Sequence, residues 1–209
     1  HRLDEIGVNV QLNTPVTKEL LKTEYSDYEV ICATGAKPNI IEAFTNFKQW
    51  ATADDILAGK AFPSRKIIII GGGSVGCELA DYLAPLLNDR FIRNRDITIL
   101  EMAPEIMMTE SGAGRSHLVQ RMMGKGIHIE CLAKVVSVTQ DTITYEQNGK
   151  EICITDADTL VFATGYHIES TMEDMLKEVG VTYHLIGDGH KVGNIKDAIF
   201  EGYQVGKEI

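Results

Sequence analysis

The sequence has no C-x-x-C pair, no run of Lys or Arg, and no apolar stretch of about 18 residues. Its four cysteines, Cys32, Cys77, Cys131 and Cys153, stand far apart, three of them inside apolar runs. That spacing excludes a dithiol redox pair and a close-set cysteine metal site, and it predicts buried, unreactive thiols. No basic run offsets the formal charge of -10, from 20 Lys and Arg against 30 Asp and Glu, so a phosphate backbone is repelled and nucleic acid is excluded as a partner. The missing apolar stretch excludes a helical membrane span, and the opening His1-Arg2-Leu3-Asp4-Glu5 has no signal-peptide core. A cytoplasmic setting follows. The six histidines lack metal-ligand spacing, with His128 and His184 in expected strands, and there is no internal repeat or low-complexity tract.

What is present is an ordinary globular core in an α/β order. With 209 residues and 44% apolar content, the chain can form one large domain or two small ones. Apolar runs at Glu29 to Ala33, Lys66 to Ile70, Ile97 to Leu100, Leu160 to Ala163 and Leu185-Ile186 read as buried strands, several closed by glycine. Val75, Leu79, Leu83 and Leu86 recur at helical spacing, with Pro85 expected to kink or end that helix. From Ile127 the pattern becomes β-rich: Ile127 to Cys131, Val135 to Val138, Thr142 to Tyr145 and Ile152 to Ile154. Asn148-Gly149 marks a hairpin, and the group predicts a β-meander inserted before the last parallel strand. Ala36 to Pro63 has weaker periodicity and reads as an inter-domain connection.

Gly71, Gly73 and Gly76 have the G-x-G-x-x-G spacing of a dinucleotide site. Chance alone would give about 0.15 such matches in a chain of this length with 19 glycines, so context must decide. Here a strand runs directly into Gly71, a helix begins near Ser74, and a second strand ends at Glu101. Gly71 permits the tight turn, Gly73 lets the backbone approach a pyrophosphate, and Gly76 lets helix pack close on strand. The N–H groups around Gly73, Ser74 and Val75 then face the anion. Glu101, 25 positions after Gly76, stands where a carboxylate accepts from the adenosine ribose hydroxyls and repels a 2′-phosphate. Met102-Ala103-Pro104 brings no Arg, which favours NAD(H) over NADP(H). A solvated strand-end acid is the plainer reading of Glu101, and Arg115 is the nearest later base.

Ala33-Thr34-Gly35, Ala163-Thr164-Gly165 and Gly187-Asp188 are strand-end turns on their own. Together they resemble the two-dinucleotide flavoproteins, whose corresponding turns line FAD and NAD(P)H. Over nearly its whole length the chain is most similar to the C-terminal half of the NADH:flavin oxidoreductases related to 2,4-dienoyl-CoA reductase and 2-enoate reductase. The segments that carry this are Ala33-Thr34-Gly35-Ala36-Lys37-Pro38, Ala53-Asp54-Asp55-Ile56-Leu57, Gly71 to Glu78, and Ile186 to Gly202.

The resemblance implies that FAD and NAD(P)H bind this half, and that a preceding barrel carries FMN, an iron–sulfur cluster and the substrate. It places Thr34, Gly35 and Gly187 on the FAD side, Asp188 on the ribityl chain, the backbone near Asn194 and Ile195 at the flavin ring, and Thr164-Gly165 near the nicotinamide. A helix from about Asn194, patterned by Ala198, Ile199, Tyr203 and Val205, would direct its positive end at the flavin. By residue type alone, an aspartate in a Gly-Asp-Gly turn is the commoner explanation of Asp188. Glu78 is either a contact to the nicotinamide amide or a solvated helix side chain.

Residues 1–28 hold only Gly7 and no glycine turn, and neither cluster ligands nor a barrel-length region is present. The expectation is a fragment: a partial FAD-type domain at 1–50, an NAD(P)-binding Rossmann-like domain at 51–167 and a second FAD-type strip at 168–209. Such a fragment binds nicotinamide dinucleotide, holds no FAD by itself and partners the missing barrel and FAD regions of its parent. No residue is assigned to catalysis or metal binding. A disulfide oxidoreductase-type NADH oxidase of the same fold, disfavoured by the absent C-x-x-C, and a non-catalytic nucleotide-sensing module are the alternatives.

Overall fold

Four consecutive isoleucines, Ile67 to Ile70, run through the centre of a five-stranded parallel sheet. The structure, a computed structural model, describes residues 2–84, 95–108 and 112–209. In chain order these form α1 (Arg2–Glu5), α2 (Lys18–Thr23), β1 (Val30–Cys32), β2 (Ala36–Pro38), β3 (Trp50–Thr52), α3 (Ala53–Leu57), β4 (Lys66–Ile70), α4 (Ser74–Leu83) and β5 (Asp96–Leu100). There follow α5 (Ala113–Gly124), β6 (His128–Glu130), β7 (Lys134–Val138), β8 (Ile143–Gln147), β9 (Lys150–Ile154), β10 (Thr159–Phe162), β11 (Tyr166–Ile168), α6 (Thr171–Val179), β12 (Tyr183–Leu185) and α7 (Ile195–Glu208). Short 3-10 turns lie at Glu42–Phe44 and Gly187–Gly189. None of the helices is long and apolar enough to cross a membrane among the described residues.

The chain divides into two units, one of residues 1–37 with 168–209 and one of residues 38–167. The first division thus falls before Pro38, whereas the sequence pattern placed residues up to Trp50 with the first strip. Two contacts explain the difference. The Asn39 N–H donates to the Gly165 carbonyl at 2.8 Å, and Phe47 is buried in one core with Ile68, Leu160 and Phe162.

In the 38–167 unit the sheet order is β3-β10-β4-β5-β6, all parallel. The sequence pattern grouped Ile127 to Cys131 with the meander, but β6 pairs parallel to β5, with Thr98 opposite His128. The reason lies in α5: Leu118 and Met122 join Ile127 in the core on the helical face, so α5 is the crossover that delivers β6 to the parallel edge. The meander proper is the antiparallel sheet β7-β8-β9. Gln147 pairs with Lys150, leaving Asn148 and Gly149 as a two-residue turn with φ of 53° and 73°, the left-handed pair that Asn-Gly adopts readily.

Alternation along β4 divides the core. Ile67 and Ile69 pack with Cys77, Leu79 and Leu83 of α4, while Ile68 and Ile70 pack with Phe47, Ile143, Tyr145 and Leu160 on the opposite face. A parallel strand covered on both sides can be apolar throughout, and each fully buried isoleucine contributes about 1.5–3 kcal/mol. This fixes the end of β4, and hence Gly71, rigidly at the carboxyl end of the central strand. α4 ends at Leu83, and Ala84 is extended (ψ 131°), as suits a residue before proline. Pro85 and Leu86, part of the expected helical pattern, lie outside the described residues.

The outer side of α4 is tied to α5 by Asp81, whose carboxylate is within 2.8 Å of Arg121 Nη2 and 2.9 Å of Lys125 Nζ. Burial opposes the Asp81 charge, but the hydrogen bonds from Arg121 and Lys125 outweigh it and hold the carboxyl below its ordinary 3.8. A depressed folded-state value contributes stability above the unfolded value that is lost as pH falls through the folded one. Asp81→Asn is therefore expected to cost about 1 kcal/mol at neutral pH, with the difference shrinking as the pH falls below the ordinary 3.8. Urea midpoints for both chains at pH 7 and pH 3 check this; an equal gap at the two pH values contradicts it.

In the other unit β1 pairs parallel to β12, with Val30, Ile31 and Cys32 opposite Tyr183, His184 and Leu185. Leu21, Cys32 and Leu176 form its buried centre, with α2 against α6. α7 buries none of its residues. The cysteine expectation needs correction: Cys32 and Cys77 are buried, but Cys131 is partly exposed and Cys153 is exposed. Cys153 lies on β9, an edge strand of the three-stranded sheet that is exposed from Lys150 to Cys153.

Candidate functional site

The turn after β4 is built on three distinct glycine requirements. Gly71 has φ 104°, and a Cβ there would lie 2.3 Å from the Ala163 carbonyl oxygen on neighbouring β10's exit. A Cβ on Gly76 would lie 2.0 Å from the Gly71 carbonyl oxygen, so α4 rests directly on the turn. Gly73 differs: no atom lies within 4 Å of its Cβ position. Protein packing therefore accounts for Gly71 and Gly76 but leaves the space at Gly73 open. Gly73 is also the N-cap of α4 and gives it no side-chain cap, so the helix end presents main-chain N–H groups beside that space.

Gly71 and Gly73 line a cleft of ≈ 630 Å³ with Glu101, Met102, Thr164 and Gly165, within the range of small-molecule sites. Its far wall is apolar, from Ile41, Phe44 and Val135. Glu101 follows β5 and is partly buried. Its Oε2 accepts from the Gly72 N–H at 2.6 Å and its Oε1 from the Ala103 N–H at 2.7 Å. The carboxylate is thus fixed in orientation across the mouth of the glycine turn. The sequence alternative, a freely solvated acid, does not describe it. Arg115 does not line this cleft: its Nη2 is 2.8 Å from Glu105 and donates to the Ile106 carbonyl at 2.9 Å.

Thr164-Gly165 is clamped by a residue that sequence reasoning missed. Asn39 Nδ2 donates to the Thr164 carbonyl at 3.1 Å, and Thr164 Oγ1 donates to the Asn39 carbonyl at 2.7 Å. His167 Nδ1 stands 2.8 Å from Asn39 Oδ1. In the sequence Asn39 lies within the weakly periodic Ala36 to Pro63 segment, 125 positions from Thr164. No local pattern reveals such a pairing. The apolar wall and Lys134 were equally invisible, because Lys134 and Val135 reach the cleft from β7 of the meander and Ile41 and Phe44 from the segment before β3.

The remaining predicted residues are placed as follows. Val75 lines a small neighbouring recess with Asp54 and Gly165, where Tyr166 Oη donates to Asp54 Oδ1 at 2.6 Å. Ser74 and Glu78 line a different cleft, with Asp81, Arg115 and Arg121, and Glu78 is exposed. In the other unit, the Gly189 Cβ position is 3.5 Å from the Gly35 nitrogen, which sets the Gly187–Gly189 turn beside Thr34-Gly35. The Gly187 N–H donates to Glu201 Oε2 at 2.7 Å, and Asp188 Oδ1 accepts from the Gly193 N–H at 3.0 Å. Asn194 caps α7 through a reciprocal pair with Asp197, and Ile195 opens the helix. Among the described residues no group of three or more His, Cys, Asp or Glu is placed to hold a metal ion.

Three features define a dinucleotide-binding α/β unit of Rossmann type: a parallel strand ending in Gly71, a helix starting over open space at Gly73, and an acid at the end of the next strand. Comparison with known proteins agrees. Residues 2–188 match the model of the family described as pyridine nucleotide-disulphide oxidoreductase, and the chain belongs to that family. It is 31% identical to cinnamate reductase of Clostridium sporogenes over 99% of this chain and 30% of that protein. It is 30% identical to NADH oxidase of Thermoanaerobacter brockii, over 99% of this chain and 32% of that protein. A solved 2-naphthoyl-CoA reductase complex superposes on all of this chain and 31% of its own, at TM-score 0.84 and 25% identity. The chain thus spans about a third of the length of these relatives.

Proposed function

We propose that the 38–167 unit binds NADH in the Gly71–Glu101 cleft, as the nicotinamide-binding part of a longer NADH:flavin oxidoreductase related to 2,4-dienoyl-CoA and 2-enoate reductases. The observation that carries this reading is the open space at Gly73 between two glycines that packing does explain. The first turn of α4 holds the pyrophosphate through main-chain N–H groups, requiring no Lys or Arg. Glu101, held by Gly72 and Ala103, presents its remaining lone pairs to the adenosine ribose hydroxyls. The Asn39 clamp fixes Thr164-Gly165 for the nicotinamide side.

When bound, NADH supplies hydride and FAD receives it; the protein contributes orientation and exclusion of water. Thr34-Gly35, Gly187, Asp188 and the α7 start at Asn194-Ile195 form one side of the FAD site, completed by other parts of the parent. FMN, an iron–sulfur cluster and the reduction of an unsaturated acid or CoA ester belong to regions beyond these residues. The names of the cinnamate and 2-naphthoyl-CoA reductases support that substrate class. The match to an NADH oxidase keeps direct oxidation of NADH as the second reading.

Cofactor choice tests the role of Glu101. NADH is expected to bind more tightly than NADPH, because a 2′-phosphate meets a carboxylate at this position. Glu101→Ala should weaken NADH about tenfold and bring the two cofactors within about threefold, since a charge-assisted hydrogen bond contributes roughly 1.5–3 kcal/mol. Calorimetric titration with each cofactor gives both constants. Equal affinities in the unaltered chain contradict the role of Glu101.

A further inference from the structure

The Glu101 cleft also has a cationic side chain in its lining, Lys134 at the start of β7. Two main-chain bonds bring this part of the chain to Glu101: the Ala133 N–H donates to the Glu101 carbonyl at 2.8 Å, and the Leu132 N–H donates to the Ala103 carbonyl at 3.0 Å. Lys134 therefore follows directly on a residue hydrogen-bonded to the strand-end acid. Glu146 is its cross-strand neighbour, but the two form no ion pair, and Lys134 has no carboxylate partner among the described residues. The side chain is exposed, so its ammonium is available to a ligand in the cleft. Glu101 differs in this respect, because each of its carboxylate oxygens already accepts a main-chain N–H. Those dipoles oppose part of its negative field, which lowers the repulsion it can exert on a nearby phosphate.

We propose that Lys134 is a specificity-determining residue that meets the 2′-phosphate of NADPH and so moderates the preference for NADH set by Glu101. A cation beside the ribose-binding acid is the arrangement that accommodates a 2′-phosphate, and a lysine supplies it as a point charge on a flexible stem. The inference rests on NADH binding at the Gly71–Glu101 cleft and adds a graded tolerance of NADPH to it. Lys134 has no role with NADH, which carries no phosphate at that position.

The test is calorimetric titration of the chain with NADH and with NADPH, for the unaltered chain, Lys134→Met and Lys134→Arg. Met keeps the apolar stem and Arg keeps the charge, and an exposed strand position tolerates both. Lys134→Met should weaken NADPH about tenfold and change NADH less than twofold, while Lys134→Arg keeps NADPH within about threefold. The NADPH constant of the unaltered chain should also weaken more steeply with added salt than that of Lys134→Met. Equal losses for both cofactors would assign Lys134 to the shared pyrophosphate and overturn the proposal. No change in either would remove Lys134 from the site. Failure of the unaltered chain to bind NADH at all is a different result, which removes the cleft assignment itself.

Discussion

Gly73→Val should abolish measurable NADH binding, a loss of at least about a hundredfold, in a chain that remains folded. The argument is geometric. Nothing in the protein occupies the space a Cβ would enter at Gly73, and its backbone (φ -70°, ψ -174°) is open to any residue. The branched side chain therefore stands where the pyrophosphate must approach the first turn of α4, and the two cannot share that space. Valine is also a poorer N-cap than glycine, which should cost about 1 kcal/mol of stability and no more. Thermal unfolding without ligand should show a fall of only a few degrees, while titration shows no saturation. A folded variant with unchanged NADH affinity would remove the pyrophosphate from this turn.

Gly76→Val, three residues on, should behave in the opposite way. Its Cβ would lie 2.0 Å from the Gly71 carbonyl oxygen and 3.2 Å from Ala163 Cβ, and the nearer obstacle is main chain. Relief requires α4 to move off the end of β4, which opens the core that Cys77, Leu79 and Leu83 share with Ile67 and Ile69. Overpacking of this kind costs about 3 kcal/mol or more, equivalent to a fall of roughly 6–12 °C in Tm for a chain of this size. Calorimetric melting measures it, and a Tm within a degree of the unaltered chain contradicts the packing role. The pair separates two functions that one motif merges: Gly73 serves the ligand and Gly76 serves the fold.

The parts of this molecule that were legible in the sequence are those where one local pattern has one physical solution. A run of β-branched residues ending in glycine at Gly71 specifies a buried strand and a turn, and Asn148-Gly149 specifies its hairpin through the two positive φ values that only such a pair adopts at low cost. The helix from Asn194 was expected from a partly helical pattern and the family resemblance, and its reciprocal cap with Asp197 was not read in the sequence. The misreading of β6 shows where such patterns stop: His128–Glu130 has a strand signature whether it pairs with β5 or with the meander, and only the burial of Leu118, Met122 and Ile127 under the sheet decides between them. Asn39 and Lys134 were out of reach for another reason. Each is far in sequence from its site, and neither residue type carries a signal until folding brings Thr164 to Asn39 and puts Lys134 in the lining of the Glu101 cleft. Cys153 misled through composition, since an apolar neighbourhood in sequence does not distinguish a covered strand from an edge strand.

The most direct test of NADH binding at the glycine turn is the electron density of this chain crystallised with saturating NADH. The expected density places the pyrophosphate against the main-chain N–H groups of Gly73 to Gly76, the adenosine ribose at Glu101, and the nicotinamide end toward Thr164-Gly165. Dinucleotide density anywhere else, or a cleft without dinucleotide under conditions where titration in solution shows saturation, would contradict it.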